Sequence, residues 1–442
     1  PGHGLRRQPV GAQPSRSSHH SKRITTMPSQ TVQNILNSAS AEDKIGQLLC
    51  FGFSGVYPHR DILEAIRKYR VAGFRTTPTG RKFSRYFGSD HPGAKHVIRD
   101  PEPLERMVTS SHRASPRVSA ETYASTLNRL RECAMESGAG IPLYFSTDVE
   151  GGVSMDFRGP GMEGFPHPMG LAASGDPELS YRVAKATGQQ LRAGGFNWIH
   201  SPVLDVNTAP GNPEINTRSY SAHTKTVADY AKESLRGFDD AGIISTGKHF
   251  PGRGSSVADV HFGVATMEED SQPLRDVHLS PYRELIEAGL PAIMLAHSIY
   301  PAIDPDQEIA TLSRAIIEDV LRDELNFDGV VMTDSFTMGG LVAKYPVDEA
   351  AILCVKHGVD LILLKDENAL RGEVFHGLLE AVRSGRIPEE RLEDAVSHVL
   401  NAKERCGLLD GSGGIVSAEQ SREFLASPGI VTTAKEAAEA SV

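Results

Sequence analysis

The chain has 442 residues, 39% of them hydrophobic and 23% charged, with a formal charge of −10. That balance excludes a general nucleic-acid binder, because no basic surface dominates, and no run of about 18 apolar residues exists to span a membrane. The four cysteines, Cys50, Cys133, Cys354 and Cys406, form no CxxC or Cys/His pair and are expected as buried, reduced thiols.

The first 26 residues carry five Lys/Arg and no acidic residue. They lack the apolar stretch of a secretory signal, and their Pro and Gly content weakens the amphipathic helix of a mitochondrial transit peptide. Residues 1–30 are therefore expected as a disordered leader, and the protein as cytoplasmic. From about residue 40 to 408, short β-rich apolar runs alternate with longer amphipathic stretches, the mark of repeated βα units. Eight strands are predicted at Ile45–Phe53, Ala72–Thr76, Leu143–Asp148, Phe196–Leu204, Ile243–Phe250, Ala292–His297, Gly329–Asp334 and Leu361–Leu364. Several are apolar at nearly every position, as strands buried on both faces must be. Helices are predicted over Tyr181–Leu191, Lys225–Ala241, Ser313–Leu325 and Ala369–Ser384. The fold class is α/β, a (β/α)8 TIM-type barrel over residues 31–417 with room for irregularity in its first strands. Residues 418–442 are set aside as a tail, with Thr433–Ala440 open to reading as a frayed terminal helix. No GxGxxG opens a helix after a strand, which weakens the alternative of a doubly wound open sheet. Between the second and third strands, Pro78–Arg117 holds eight Lys/Arg against four Asp/Glu, a connection long enough to be functional or disordered.

Polar residues cluster where the apolar strands end. The third strand runs into Asp148-Val149-Glu150-Gly151-Gly152, and the fourth into Asp205-Val206-Asn207, with Arg218 beyond. Lys248-His249-Phe250-Pro251-Gly252 closes the fifth, His297 the sixth, and Thr333-Asp334-Ser335 the seventh. The C-terminal strand ends of such barrels form the active site. Singly, each residue has a plainer explanation. Asp148 and Asp334 would serve as helix N-caps, His249 and His297 as satisfied core histidines, and Lys248 as a snorkelling side chain. Five polar strand ends around one ring are harder to explain by structure alone.

Lys248-His249-Phe250-Pro251-Gly252-Arg253-Gly254, followed by Asp259-Val260-His261, resembles glycoside hydrolase family 3, and within it the β-N-acetylhexosaminidase-like branch. The resemblance extends over roughly residues 40–408. It includes Asp148-Val149-Glu150-Gly151-Gly152, Pro202 to Asn207, Thr217-Arg218-Ser219-Tyr220, Ala296-His297, Phe327 to Asp334 and Ser384-Gly385-Arg386-Ile387. What it implies is a retaining β-glycosidase acting on terminal β-N-acetylglucosaminides, with Asp334 as nucleophile and His261, oriented by Asp259, as acid/base. Histidine suits that work because its ordinary pKa lies near working pH. Asp148, Arg218, Lys248, His249 and, less directly, His297 would hold the sugar. No cofactor or metal is implied, and the only partner expected is a small carbohydrate, with no nucleic acid and no membrane. The C-terminal sandwich domain of many relatives is not expected, since few residues follow 408.

The chain departs from the family pattern at several places. Val153 and Asp156 stand where arginines are usual, Arg253 replaces the second histidine of KHFPGHG, and Ser335 follows the nucleophile where a second aspartate is common. These departures leave three alternatives open: a β-glucosidase or a β-glycoside phosphorylase on the same scaffold, a sugar-binding protein whose catalysis has lapsed, and a metal-dependent hydrolase built from His249, His261, Asp148 and Asp334.

Overall fold

A computed structural model describes residues 27–58, 60–78, 118–257, 264–336, 344–365 and 370–442. The chain enters through two helices, α1 (Gln30–Ser38) and α2 (Ala41–Gln47). The second begins at a capping box in which Ser40 Oγ accepts from Asp43 N and the Asp43 carboxylate accepts from Ser40 N, so two otherwise orphaned donors are satisfied reciprocally.

Each of the eight segments expected as strands contains one. They are β1 (Leu49–Ser54), β2 (Gly73–Thr77), β3 (Tyr144–Thr147), β6 (Trp198–Ile199), β7 (Ile244–Phe250), β9 (Ala292–Leu295), β11 (Val330–Thr333) and β12 (Ile362–Leu364). Two short pairs lie outside this ring: β4 (Val149–Gly151) with β5 (Ser154–Met155), antiparallel, and β8 (Ala265–Thr266) with β10 (Ser298–Ile299), parallel. The eight strands pair side by side in the order β11-β9-β7-β6-β3-β2-β1-β12. A parallel bridge from Met332 to Leu361, with Thr333 N donating to Leu361 O at 3.0 Å, joins the first to the last. A closed parallel barrel results, so no strand edge is left to seek another chain.

The strands that leave this ring feed helices packed outside it: α3 (Arg60–Tyr69), α4 (Ala120–Met135), α5 (Pro168–Ala173), α6 (Pro177–Ala193), α7 (Thr224–Asp240), α8 (Ser280–Glu287), the π-type α9 (Ala315–Glu324), α10 (Val347–Lys356), α11 (Leu370–Arg383) and α12 (Glu389–Arg405). The crossing of α6 and α7 is tight: a Cβ at Gly237 would lie 2.4 Å from the Tyr181 carbonyl, so only glycine allows it. Inside the ring, Tyr144, Trp198, Met294 and Met332 stack with Val399, Ala402, Cys406 and Leu408. The C-terminal part of α12 thus plugs the N-terminal end of the barrel and leaves the other end for chemistry.

The segment after Val416 forms two further helices, α13 (Ala418–Leu425) and α14 (Gly429–Ala440). Ser421 Oγ donates to Ala193 O at 2.8 Å, and Ile430, Ala434 and Ala437 pack on Leu171, Leu179 and Val183. All four cysteines are buried free thiols. Among the described residues no helix is long and apolar enough to cross a membrane. Most of the connection from Pro78 to Arg117, and residues 1–26, lie outside the described residues.

Candidate active site

Six of the barrel strands deliver a charged or imidazole side chain to the C-terminal mouth. Asp148, at the end of β3, is the centre of the arrangement. Its Oδ2 accepts from Arg75 Nε at 3.1 Å and Arg75 Nη2 at 2.6 Å, and its Oδ1 from Lys248 Nζ at 3.0 Å. His200 Nδ1 lies 3.6 Å from the same Oδ1. Lys248 also contacts Glu150 Oε1 at 2.6 Å, and Arg218 grips Glu150 with Nε and Nη2 at 2.7 and 3.0 Å, a fork-on-carboxylate pair. Cations and carboxylates therefore alternate through Arg75, Asp148, Lys248, Glu150 and Arg218.

Burial alone would raise the Asp148 pKa, but the Lys248 and Arg75 charges outweigh it and hold the carboxyl well below the ordinary range. Burial works against Glu150 in the same way, and Arg218 and Lys248 bring it down to about 2. Most of the set is sealed: the Lys248 and Glu150 side chains are 3% and 2% exposed, whereas Asp148 keeps 25% and Arg218 21%. Those two are the groups a ligand at the mouth meets first.

His249 follows Lys248 directly, and both engage site carboxylates. Alternation along an ideal strand would send them to opposite faces. The β7–β9 register slips between Lys248 and Phe250, a bulge that re-aims adjacent side chains. Asp205 holds the turn. Its Oδ2 accepts from His249 Nδ1 at 2.7 Å and its Oδ1 from Arg253 N at 2.8 Å. Burial, reinforced by Arg253 and Arg218, pushes the His249 pKa well down, so the ring is neutral. With Nδ1–H donated to Asp205, Nε2 is left as a hydrogen-bond acceptor. Gly254 completes the turn against the Val206 carbonyl, 1.8 Å from where a Cβ would sit.

Asp334 stands one residue past β11. Burial would raise its pKa, but Arg253, His297, the Ser335 amide and Lys248 bring it to about 2, and Ser335 N donates to its Oδ1 at 2.6 Å. His297 does not face the mouth freely. Its Nδ1 lies 2.8 Å from Thr311 Oγ1 and its Nε2 3.1 Å from the Ser335 carbonyl, so both ring nitrogens are occupied behind Asp334. Arg253 is 2% exposed. Its Nη2 reaches Glu214 Oε1 at 2.7 Å, while Nε and Nη1 have no hydrogen-bond partner among the described residues.

Of the residues expected to hold sugar, Asp148, Arg218, Lys248 and His249 come together, and His297 supports Asp334 from behind. Asp259 and His261 lie outside the described residues. Glu150 and Asp205, noted at strand ends but given no role, belong to the same network, as do Arg75 and His200, which were not expected there. Arg75 had one signal, a lone charge inside the buried run Gly73–Thr77. The groups among the described residues near enough to share a cation, Asp360, Asp394 and His398, sit at the opposite end of the barrel. Arg322 and Arg391 already occupy the Asp360 carboxylate, each at 2.7 Å.

A closed parallel barrel with its ionisable groups gathered at the C-terminal mouth is the class of protein the fold and site define. The chain belongs to glycosyl hydrolase family 3: that family's N-terminal domain model matches residues 40–402. It is 30% identical over 352 residues to a β-N-acetylglucosaminidase/β-glucosidase of Cellulomonas fimi, covering 78% of this chain and 61% of that one. Its fold matches a family 3 β-N-acetylglucosaminidase from Paenibacillus sp. str. FPU-7 with a TM-score of 0.73 and 34% identity, over 87% of this chain and 67% of that one. A β-N-acetylhexosaminidase from Beutenbergia cavernae matches at 26% identity and a TM-score of 0.69, over 83% of this chain and 98% of that one. The chain thus spans about three-fifths of the Cellulomonas relative's length.

Proposed function

We propose that this protein hydrolyses terminal β-linked N-acetylglucosaminides with retention of configuration. The observation that carries the reading is Asp334: a half-buried carboxylate kept ionised at a strand end of the mouth that also holds Asp148, Lys248 and Arg218. A nucleophile must be charged to attack, and one lowered by fixed cations is charged at any working pH. In the first step an Asp334 oxygen bonds to C1 while the C1–O bond to the leaving group breaks, and His261 gives that oxygen its proton. In the second, His261 takes a proton from water, the water oxygen bonds to C1, and the bond to Asp334 breaks. Two inversions give retention. Asp259 would fix the tautomer of His261 and stabilise its charged form. Asp148, Arg218 and the Nε2 of His249 would hold the ring hydroxyls, with His297 keeping the backbone beside Asp334 in place.

The choice of sugar is supported by the name of the Paenibacillus enzyme, a β-N-acetylglucosaminidase, and less sharply by that of the Cellulomonas enzyme, a β-N-acetylglucosaminidase/β-glucosidase. A matched pair of aryl β-glycosides, N-acetylglucosaminide and glucoside, separates this reading from a β-glucosidase. A fluorinated activated substrate should trap a glycosyl ester on Asp334, seen as a mass increase on the peptide that carries it. Labelling elsewhere would overturn the assignment.

Arg253 favours one second reading. A buried guanidinium with two donors unfilled among the described residues, its charge acting on the nucleophile, suits an anion, and phosphate in place of water would make the protein a phosphorylase. The test is phosphate-dependent release of a sugar 1-phosphate; phosphate-independent release of free sugar excludes it.

A further inference from the structure

Asp148 is held by more than the lysine from β7. Arg75, 3% exposed on β2, puts both Nε and Nη2 on Asp148 Oδ2 and extends Nη2 to Asp156 Oδ2 as well. Asp156, just past β5, in turn donates its backbone N to Asp148 O at 2.8 Å. The three residues close a ring that ties the β4–β5 hairpin to β2, with Asp148 at the vertex. Asp148 is the member of this ring most open to the mouth, its side chain 25% exposed against 12% for Asp156 and 3% for Arg75. Two rigidly linked Arg75 donors converge on Oδ2 while Lys248 Nζ holds Oδ1 at 3.0 Å, so the carboxylate is pinned at both oxygens and its plane is set by the guanidinium and the ammonium together. A carboxylate that binds vicinal hydroxyls needs that plane fixed, since misplacement by a fraction of an ångström weakens every bond it makes.

We infer that Arg75 and Asp156 are a positioning pair that, with Lys248, sets the plane of the Asp148 carboxylate, and through it which ring hydroxyl the site grips. The inference rests on the sugar-site reading of Asp148. Asp156 acts through Arg75, and Arg75 through Asp148; neither touches the sugar.

The test uses 4-nitrophenyl β-N-acetylglucosaminide and its 3-, 4- and 6-deoxy analogues, with wild type, Arg75→Gln, Arg75→Lys, Asp156→Asn and the Arg75→Gln/Asp156→Asn double variant. On the parent glycoside, Arg75→Gln should lower kcat/KM by about 10- to 100-fold, the worth of charge-assisted hydrogen bonds. Asp156→Asn should cost about 3- to 10-fold, mostly in KM. The double variant should match Arg75→Gln alone, because two residues acting in series are not additive. On the one deoxy analogue that lacks the hydroxyl Asp148 grips, the penalty for Arg75→Gln should fall below about threefold. Arg75→Lys keeps the charge and loses the fork, so it should recover little. A uniform loss across the four substrates, or additive single variants, would reduce the pair to structural support and overturn the inference. Asp156→Asn, on a partly exposed side chain, keeps the test open should Arg75→Gln fail to fold. A wild type silent on all four substrates would instead bring down the functional reading and this inference with it.

Discussion

Two cations at the C-terminal mouth and two at the plugged end of the barrel are buried about equally deeply and are treated in opposite ways. At the C-terminal mouth, Lys248 and Arg75 sit between carboxylates. Burial would lower the Lys248 pKa, yet Asp148 and Glu150 raise it above its ordinary value. At the plugged end, Lys403 Nζ donates to Gln47 Oε1 and the Pro142 carbonyl, both at 2.7 Å. Arg131 donates to the Leu143 and Gly195 carbonyls at 3.2 and 2.7 Å, and to Asn197. Every acceptor named for these two cations is neutral, whereas Arg322 at the same end meets the Asp360 carboxylate. Burial accordingly pushes Lys403 down to about 7 and Arg131 to about 9. These two cations of the plugged end hold the adjacent carbonyls of residues 142 and 143, where β3 begins. Those of the mouth hold carboxylates against an opening. The first is scaffolding and the second is a site, as the two faces of such barrels generally divide.

That division predicts effects of different kinds. The largest belongs to Asp334→Ala, which should lower kcat by about 10⁴-fold or more, as loss of a nucleophile does, while the thermal midpoint holds. Because Asp334 titrates near 2, the pH profile of kcat/KM should show no acid limb from the nucleophile while the fold survives. The basic limb should belong to the acid/base and vanish in His261→Ala. A basic limb unchanged in that variant would remove His261 from the acid/base role. Next comes Lys248→Met, which leaves Asp148 and Glu150 facing one another. A loss of about 10²- to 10³-fold in kcat/KM is expected, checked against hydroxyl-free aglycone substrates to keep leaving-group effects constant.

Arg322→Met reverses the balance. Arg322 Nη2 meets Asp360 Oδ2 at 2.7 Å, far from the mouth, and that carboxylate also accepts from Val331 N at 2.9 Å at the root of β11. Removing one partner of a buried pair costs about 3 to 5 kcal/mol. Denaturant midpoints should record that loss, and kcat/KM of the folded fraction should not move.

How much of this could be read in the sequence depends on where each residue sits. The eight strands were legible because two-sided burial writes continuous apolar runs such as Val330-Val331-Met332. The positions of Asp148, Arg218, Lys248, His249 and Asp334 were legible because a polar residue at the end of such a run is conspicuous. Arg75 was not, because it lies inside a strand and its partners come from 73 and 81 residues away. Asp205 was visible at its strand end, but its bond to His249 depends on a register slip that no local pattern announces. His297 was visible for the same positional reason as the others, yet Thr311 and Ser335 occupy its nitrogens. Local sequence marks who stands at the mouth; it does not mark who faces in. Of the two helices after Val416, α14 was legible as the run Thr433–Ala440, whereas α13 escaped because its one buried residue, Ser421, is polar and writes no apolar pattern.

The smallest effect is the most direct test of the plugged end. Lys403 has a folded pKa of about 7 against an ordinary value of 10.5. Between those values the unfolded chain holds a proton that the folded chain lacks, so raising the pH favours folding. Below about 7 both states are protonated, and the cost of burying the charge is complete. Across the window, stability should therefore rise by up to about 1.4 kcal/mol per pH unit from this group alone. Lys403→Met removes that slope, and it also leaves Gln47 Oε1 and the Pro142 carbonyl without a donor, a cost of about 1 to 3 kcal/mol each. The variant should thus compare best with wild type at pH 7 and progressively worse towards pH 9.5. Urea midpoints at three pH values in that range measure the divergence. Parallel curves would mean that the ammonium keeps its proton in the folded state, and that the carbonyls at the root of β3 bind it more strongly than burial opposes it.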